Sequence, residues 1–417
     1  MASIAIIGTG ISGISAAYLL HKQHIITVYE KAAEIGGHTR TRIVRYGKMD
    51  IPVDTGFIVF NYKNYPNLTA LFKHLDIAVK KSNMSFGVTD TQNNLEWSAQ
   101  NLNGVFGQRG NLARPDFYHF LLAVLRFNRT AVREAARHPR MKLGELIEHM
   151  QLGEWFARYY ILPMGGAIWS CSLPAILSFP AKTFVDFFEA HGLLSVTGQP
   201  QWYTVTGGSH EYIKRLTAPF IDRIRTDCAA LSVTRSGGKV QIRDARSETL
   251  AYDHVICASH ADQTLAILSD ATAEERSTLA PFKYQKNTAI LHRDASLMPS
   301  RKRCWASWIY HAADAEQASI SVTYWMNQLQ SIDDKYPLFL TLNPQRPLIP
   351  ELIFDTHEFE HPIYSADAIA AQSRLPLLQG KQHTWFCGAY HCNGFHEDGL
   401  TSAVSVARQL GAEVPWH

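Results

Sequence analysis

No uninterrupted apolar stretch in these 417 residues approaches the ~18 that a membrane-crossing helix needs. Net charge is also scarce: 40 basic against 37 acidic residues leave +3, too little to suggest a nucleic-acid partner. The six cysteines, at 171, 228, 257, 304, 387 and 392, form no Cys-x-x-Cys pair. Their scatter fits reduced, mostly buried thiols rather than a disulfide framework. Cys387 and Cys392 beside His391 and His396 match no zinc spacing, so no metal is expected. There is no repeat and no low-complexity segment. The first apolar run starts at Ile4, which leaves no room for a leader peptide, so a cytoplasmic protein is expected. With 46% hydrophobic and 18% charged residues the chain can bury a large core, and its length fits two or three domains.

What is present begins at once. Ile4-Ala5-Ile6-Ile7 leads into Gly8-Thr9-Gly10-Ile11-Ser12-Gly13, then a helical segment to Leu20, then a second apolar run, Ile25 to Tyr29, ending on Glu30. Strand, glycine turn, helix, strand and acid form the dinucleotide-binding fingerprint in the context it requires. Gly8 allows the tight turn, Gly10 lets backbone approach a pyrophosphate, and Gly13 lets the helix pack on the sheet. Ile11 and Ser12 open the helix, whose free N–H groups and dipole favour phosphate. Glu30 and the adjacent Lys31 stand where ribose hydroxyls would lie. No second such glycine pattern follows a strand, which argues against a built-in nicotinamide site.

Three further segments decide the dinucleotide. Gly36-Gly37-His38-Thr39 closely follows Glu30, Asp54-Thr55-Gly56-Phe57 comes next, and near the far end Thr384 to Gly388 reads as a buried strand before Gly399-Leu400, which opens an apolar helix. Together these resemble the amine oxidase, protoporphyrinogen oxidase and phytoene desaturase superfamily. The resemblance implies non-covalent FAD, with the glycine pair along the diphosphate and the last helix aimed at the flavin pyrimidine. A covalent link would fall to His38 or Cys392. The resemblance also implies an α/β fold: a discontinuous Rossmann-like FAD domain from residues 1–78, 205–272 and 378–417, and an α+β substrate domain from 79–204 and 273–377. The middle FAD block would carry a hairpin over 224–240, with backbone near Ala230 against adenine.

More narrowly, the segments Asp54 to Asn61, Tyr65 to Leu68, Leu162 to Gly165, Trp169-Ser170 and Gly394 to Gly399 resemble a bacterial subgroup of predicted NAD/FAD-binding proteins. These tend to be encoded beside cyclopropane-fatty-acid synthase-like methyltransferases. That association implies a lipid acyl substrate and a fatty-acid methyltransferase as functional partner. Three departures from amine oxidases bear on chemistry. His38 replaces the arginine after the glycine pair, and Ala389-Tyr390 replaces an acid after Gly388. Phe395 stands where a cage tyrosine would guide an amine. Phe395, Trp169 and Tyr390, with the aromatic stretch Phe179 to Phe188, are therefore the expected walls of an apolar tunnel. Lys283 and Lys286 do not align with the water-holding lysine of amine oxidases. His396, Glu397 and His260 are the candidate acid–base residues, each with a structural alternative: capping for the first two, a satisfied loop histidine for the third. Asp398 is a candidate cap. Two other functions stay open: a true amine oxidase, or a lipid-binding chaperone like the Rab GDP-dissociation inhibitors.

Between Pro115 and Pro139 the spacing predicts a helix, Asp116 to His138, with Arg126, Arg129, Arg133 and Arg137 inside an arc of about 80°. With Arg109, Arg114, Arg140 and Lys142 the stretch sets eight basic residues against Asp116 and Glu134. It reads either as an ordinary surface helix or as a face for anionic lipid headgroups at the inner membrane surface.

Overall fold

The computed structural model describes residues 1–169, 173–195, 198–312 and 320–416. Ser170 and Cys171, both named above, lie outside them. The elements that build the site are, in chain order, β1 (Ser3–Ile7), α1 (Ile11–Leu20), β2 (Ile25–Tyr29), α2 (Pro66–His74), α3 (Pro115–Arg137), α4 (Ala181–Ala190), β3 (His254–Cys257), β4 (Lys283–His292), β5 (Ile353–Ile363), β6 (Thr384–Phe386) and α5 (His396–Gln409).

One five-stranded sheet runs Ile224–Arg225, β2, β1, β3, β6, with every pair parallel. Ile4 faces Ile26 on one side and His254 on the other. Parallel strands are buried on both faces, which is why they read as unbroken apolar runs. Ile4, Ile6, Val28 and Ile256 enter one core with α1 and α5. Ala5, Ile7, Tyr29 and Val255 enter a second core with the antiparallel meander of Ala230–Ser236, Lys239–Asp244 and Thr249–Tyr252. The sheet thus draws strands from three distant stretches of chain.

The other lobe is a seven-stranded mixed sheet, in the order β5, β4, Phe339–Leu342, Ser321–Trp325, Trp308–His311, Phe86–Asp90, Leu95–Ser98. All its pairs are antiparallel except Trp308–His311 with Phe86–Asp90. Helices α3 and α4 pack with it into one large core that includes Phe117, Phe120, Phe127, Phe184 and Phe188. Proline at its first position starts α3 without wasting an N–H. A small sheet of Phe60–Asn61, Trp202–Val205 and Val79–Ser82 ties the stretch after the glycine pair to the chain returning at 202.

Two local expectations shift. Ile224–Arg225 does not belong to a hairpin but adds an edge to the parallel sheet beside β2; the hairpin starts at Ala230. Helix α5 begins at His396, three residues before Gly399, because Asp398 Oδ2 accepts the Phe395 N–H (2.9 Å) and the Asn393 N–H (3.1 Å) and so closes the first turn. Asp398 therefore acts as a cap from inside the helix rather than ahead of it.

Candidate active site

One cavity of about 2560 Å³ spans both lobes. Drug-sized ligands occupy about 300–1,000 Å³, so it has room for a dinucleotide and a second molecule. Its floor is the turn between β1 and α1. A Cβ on Gly10 would meet no atom within 4 Å, so the space before the N-terminus of α1 is open. Gly8, at φ +105°, lies so close to β3 that a Cβ would sit 2.9 Å from the Ala258 carbonyl. A Cβ on Gly37 would come 3.1 Å from the Gly10 Cα, so the glycine pair and the turn form one surface. Ile11 and Ser12 face the cavity from the helix end. This is the shape and polarity that a diphosphate fills.

Glu30 stands at the end of β2 on the cavity wall. Its Oε2 accepts from the Thr9 N–H (3.0 Å) and hydroxyl, and its Oε1 accepts from the Ala32 N–H (2.9 Å). Lys31 and Ala230 line the same end. Along the other wall Phe57 donates its N–H to the His38 carbonyl (2.8 Å), an approach that leaves no room for a Cβ on Gly56. Thr55 is held by Arg40, whose guanidinium grips Asp355 of β5 at 2.6 and 3.0 Å. Thr55, Gly56, Phe57, His38, Thr39 and Gly388 all face the cavity. Gly13, Gly36 and Gly399 shape it from behind: a Cβ on Gly13 would lie 2.0 Å from the Gly8 carbonyl, and one on Gly399 2.8 Å from Ser12 Oγ. Leu400 is fully buried in the core below.

The three acid–base candidates sit in different settings. His396 is half-buried on the cavity wall, stacked on Phe57 at 3.9 Å, and its Nε2 lies 3.0 Å from both Thr39 Oγ1 and Tyr212 Oη. Burial pulls its pKa down to about 3, which keeps the ring neutral. Glu397 turns away from the cavity. Its Oε1 accepts from the Asn67 N–H (2.8 Å) and side-chain amide (2.9 Å), and its Oε2 from the Leu68 N–H (2.9 Å), so it caps α2. His260 lines the cavity, stacks on Tyr284 at 4.1 Å and lies 3.4 Å from Glu360, with burial lowering its pKa.

Several residues at this site carry no local sequence signal. Tyr212 reaches His396 from a helix of its own, and Gln330 donates to the buried Asp54, which also accepts from Thr41 and Ser209. One group was legible in principle: along β5 the alternation Asp355, His357, Phe359, His361 puts four side chains on one face. There Phe359 and His361 lie 4.9 and 5.2 Å from the His38 ring. Burial first, then the neighbouring His361, drives the His38 pKa well below the ordinary value. Lys286 also faces the cavity, 3.7 Å from Glu358, whereas Lys283 does not.

Beyond the cradle the cavity continues as an apolar arm between α3 and the mixed sheet. Its walls include Phe86, Trp97, Phe120, Val124, Met164, Ile168 and Leu340. The cavity-lining residues of α3, from Phe120 to Asn128, carry no charge, whereas Lys286, Glu358 and Glu360 line the cavity from β4 and β5. Phe395 and Tyr390 both line the cavity; Phe395 stacks on Phe187 at 5.3 Å, and Tyr390 packs on Phe282 at 5.1 Å. Trp169 does not reach the cavity; it backs Phe187, with ring centres 4.7 Å apart. Phe179, Phe184 and Phe188 lie deeper still. Trp97 and Trp308 line the arm with other parts of their rings; their indole Nε1 atoms are buried away from it without a hydrogen-bond partner. Away from the cavity, Glu134, His138 and His149 bring their ligand-type atoms within 4.8 Å of one another, but the carboxylate is already engaged by Arg133 and Arg137.

Residues 11–293 match the family described as flavin containing amine oxidoreductase. No curated protein sequence matches the chain. Among solved structures, a fatty acid isomerase from P. acnes that produces CLA superposes with TM-score 0.67 at 13% identity, covering 98% of each chain. Cyclohexylamine oxidase from Brevibacterium oxydans IH-35A gives TM-score 0.68 at 15% identity, covering 98% of this chain and 99% of its own. A variant of putrescine oxidase gives 0.70 at 11%, covering 98% of each. At such identities the likeness establishes the fold, and the glycine cradle, Glu30 and the open space before α1 fit the cofactor that the family carries. The chain belongs to the flavin-containing amine oxidoreductase family and is an FAD-dependent oxidoreductase.

Proposed function

We propose that the substrate is a long apolar chain, an unsaturated or methylated fatty acyl group of a membrane lipid. The cradle of Gly8, Gly10, Glu30 and the glycine pair would hold FAD non-covalently, and the cofactor would supply a two-electron acceptor for hydride removal, desaturation or isomerisation. The observation that carries this reading is the arm itself, continuous with the cradle and walled by Phe86, Trp97, Phe120, Val124, Met164 and Ile168. A protonated amine would need a carboxylate or an aromatic cage there; Phe395 offers no hydroxyl and packs on Phe187 instead. Each methylene buried in such a channel contributes about 0.8 kcal/mol, so an acyl chain binds without a charged anchor. An isomerase acting on a fatty acid is built on the same fold, which supports the substrate class. The subgroup's association with fatty-acid methyltransferases, read from sequence, supports it too and makes such an enzyme the natural functional partner.

The test is anaerobic mixing of the FAD-loaded protein with detergent-dispersed fatty acids or phospholipids, followed at the flavin absorbance band. Bleaching by an acyl substrate, or double-bond movement in the recovered lipid without net bleaching, supports the reading. Rapid bleaching by a mono- or polyamine with no response to lipid would transfer the assignment to amine oxidation. Acid precipitation should release the flavin into the supernatant.

A further inference from the structure

We propose that the outer mouth of the apolar arm is a docking surface for an anionic phospholipid bilayer, through which the acyl chain enters; this rests on the acyl-substrate reading above. The observation is the character of the mouth. Leu125 of α3 and Leu102 of the short helix Leu102–Val105 both line the cavity, yet they are 40% and 79% exposed. Beside them Leu122 is 62% exposed. A single surface leucine needs no explanation. Leu102 and Leu125 both line the cavity and reach the surface, with Leu122 one turn away on the outside of α3, and exposed apolar patches of this kind mark interaction sites.

The charge around the mouth selects the occupant. On α3, Tyr118, Leu122, Leu125, Arg126, Arg129, Arg133 and Arg137 fall within an arc of about 120°, so one outward stripe is apolar in its first half and cationic in its second. Arg133 and Arg137 share Glu134, whereas Arg126 and Arg129 have no acidic partner among the described residues. On the other flank a depression of about 650 Å³ is lined by Arg109, Arg114, Arg301, Lys302 and Arg303. It adjoins the helix that bears Leu102: a Cβ on Gly104 would lie 3.4 Å from the Arg303 carbonyl. Of these five, Arg301 is paired, with Glu96 at 3.0 Å. An apolar centre with cations on both flanks matches acyl chains below an anionic headgroup layer. Stable interfacial binding takes two signals, apolar insertion plus a polybasic patch, and both are present here. No helix among the described residues is long and apolar enough to cross a membrane, so the attachment is peripheral.

Co-sedimentation with vesicles tests this on the full-length, FAD-loaded protein. We expect strong binding to phosphatidylcholine vesicles containing phosphatidylglycerol, weak binding to phosphatidylcholine alone, and release by added salt. Each basic residue near an anionic surface contributes about fivefold in partitioning, so Arg126→Gln with Arg129→Gln should weaken binding roughly 25-fold. Leu122→Ser, outside the cavity wall, should weaken it as well. Both variants should keep the flavin spectrum, which shows that they fold. Equal binding to neutral and anionic vesicles, or binding unaffected by either variant, would overturn the proposal. So would a dimer in sedimentation that Leu122→Ser dissolves while wild type ignores vesicles; that would give the face to a second copy. Flavin reduction by detergent-dispersed fatty acid is read on the same samples. Reduction without vesicle binding overturns docking and leaves the substrate class standing. Vesicle binding with no reduction or isomerisation of any acyl chain overturns the substrate class and leaves docking standing.

Discussion

At Gly10 and Gly13, three residues apart, the same substitution has opposite meanings. A Cβ on Gly10 touches nothing within 4 Å, whereas one on Gly13 lies 2.0 Å from the Gly8 carbonyl. Gly10→Val should therefore give a folded, colourless protein, its side chain filling the place of the diphosphate. Gly13→Val should fail to fold, since neither helix nor turn can give by that much. Circular dichroism with the visible spectrum separates the two; a yellow Gly10→Val protein would place the diphosphate elsewhere. A second single-residue contrast concerns Trp308, whose indole N–H is buried without a partner. Trp308→Phe removes a donor that nothing in the protein satisfies, so the free protein should lose no stability through that bond. Urea unfolding checks this: a loss of about 1 kcal/mol or more would show that the N–H has a partner in solution after all.

Elements meet at this site through contacts that a linear reading does not reveal. Glu397, on the first turn of α5, satisfies the N-terminal N–H groups of α2 across 330 residues of chain. A carboxylate at a helix N-terminus is favoured by the dipole as well as by the hydrogen bonds. Glu397→Ala should cost about 1–3 kcal/mol in urea unfolding because it orphans those donors, with the flavin still bound. Loss of turnover at unchanged stability would instead make Glu397 an acid or base. The β1–α1–β2 unit was legible because both faces of a parallel strand are apolar and the glycines stand at fixed offsets. Helix α3 was legible from its bounding prolines and arginine stripe. The outward leucines of α3 share the arginine arc at 100° per residue, but nothing local says that Leu125 also borders a cavity. The early start of α5 was hidden because Asp398 caps it without a serine or threonine ahead. Trp169 was expected on the tunnel wall, but periodicity cannot tell the wall from the layer behind it.

Across the whole molecule, burial sets two groups of titrating side chains against each other. His292, His311, His361 and His391 are drawn down to about 4, and His396 to about 3, chiefly by desolvation of the charged ring. An unfolded histidine titrates near 6.5, so each of these contributes stability that is full above that pH. It is lost as pH falls toward the folded value, because the unfolded chain binds the protons. Asp54 and Asp398 act in the opposite sense. Burial raises both to about 6, against an ordinary value near 3.8. They favour the folded state more as pH drops from 6 toward 4. Five histidines against two carboxyls leave the histidines in control, so the melting temperature should fall steadily between pH 6.5 and 4. Replacing His361 by Phe should flatten that slope by one proton's worth, whereas Asp54→Asn should steepen it by removing an opposing group. Thermal melts across this range at constant ionic strength provide the comparison. A melting temperature that rises on acidification would mean that the histidine rings are already hydrated or charged in the folded protein, and that the cavity wall formed by β5 is wet rather than dry.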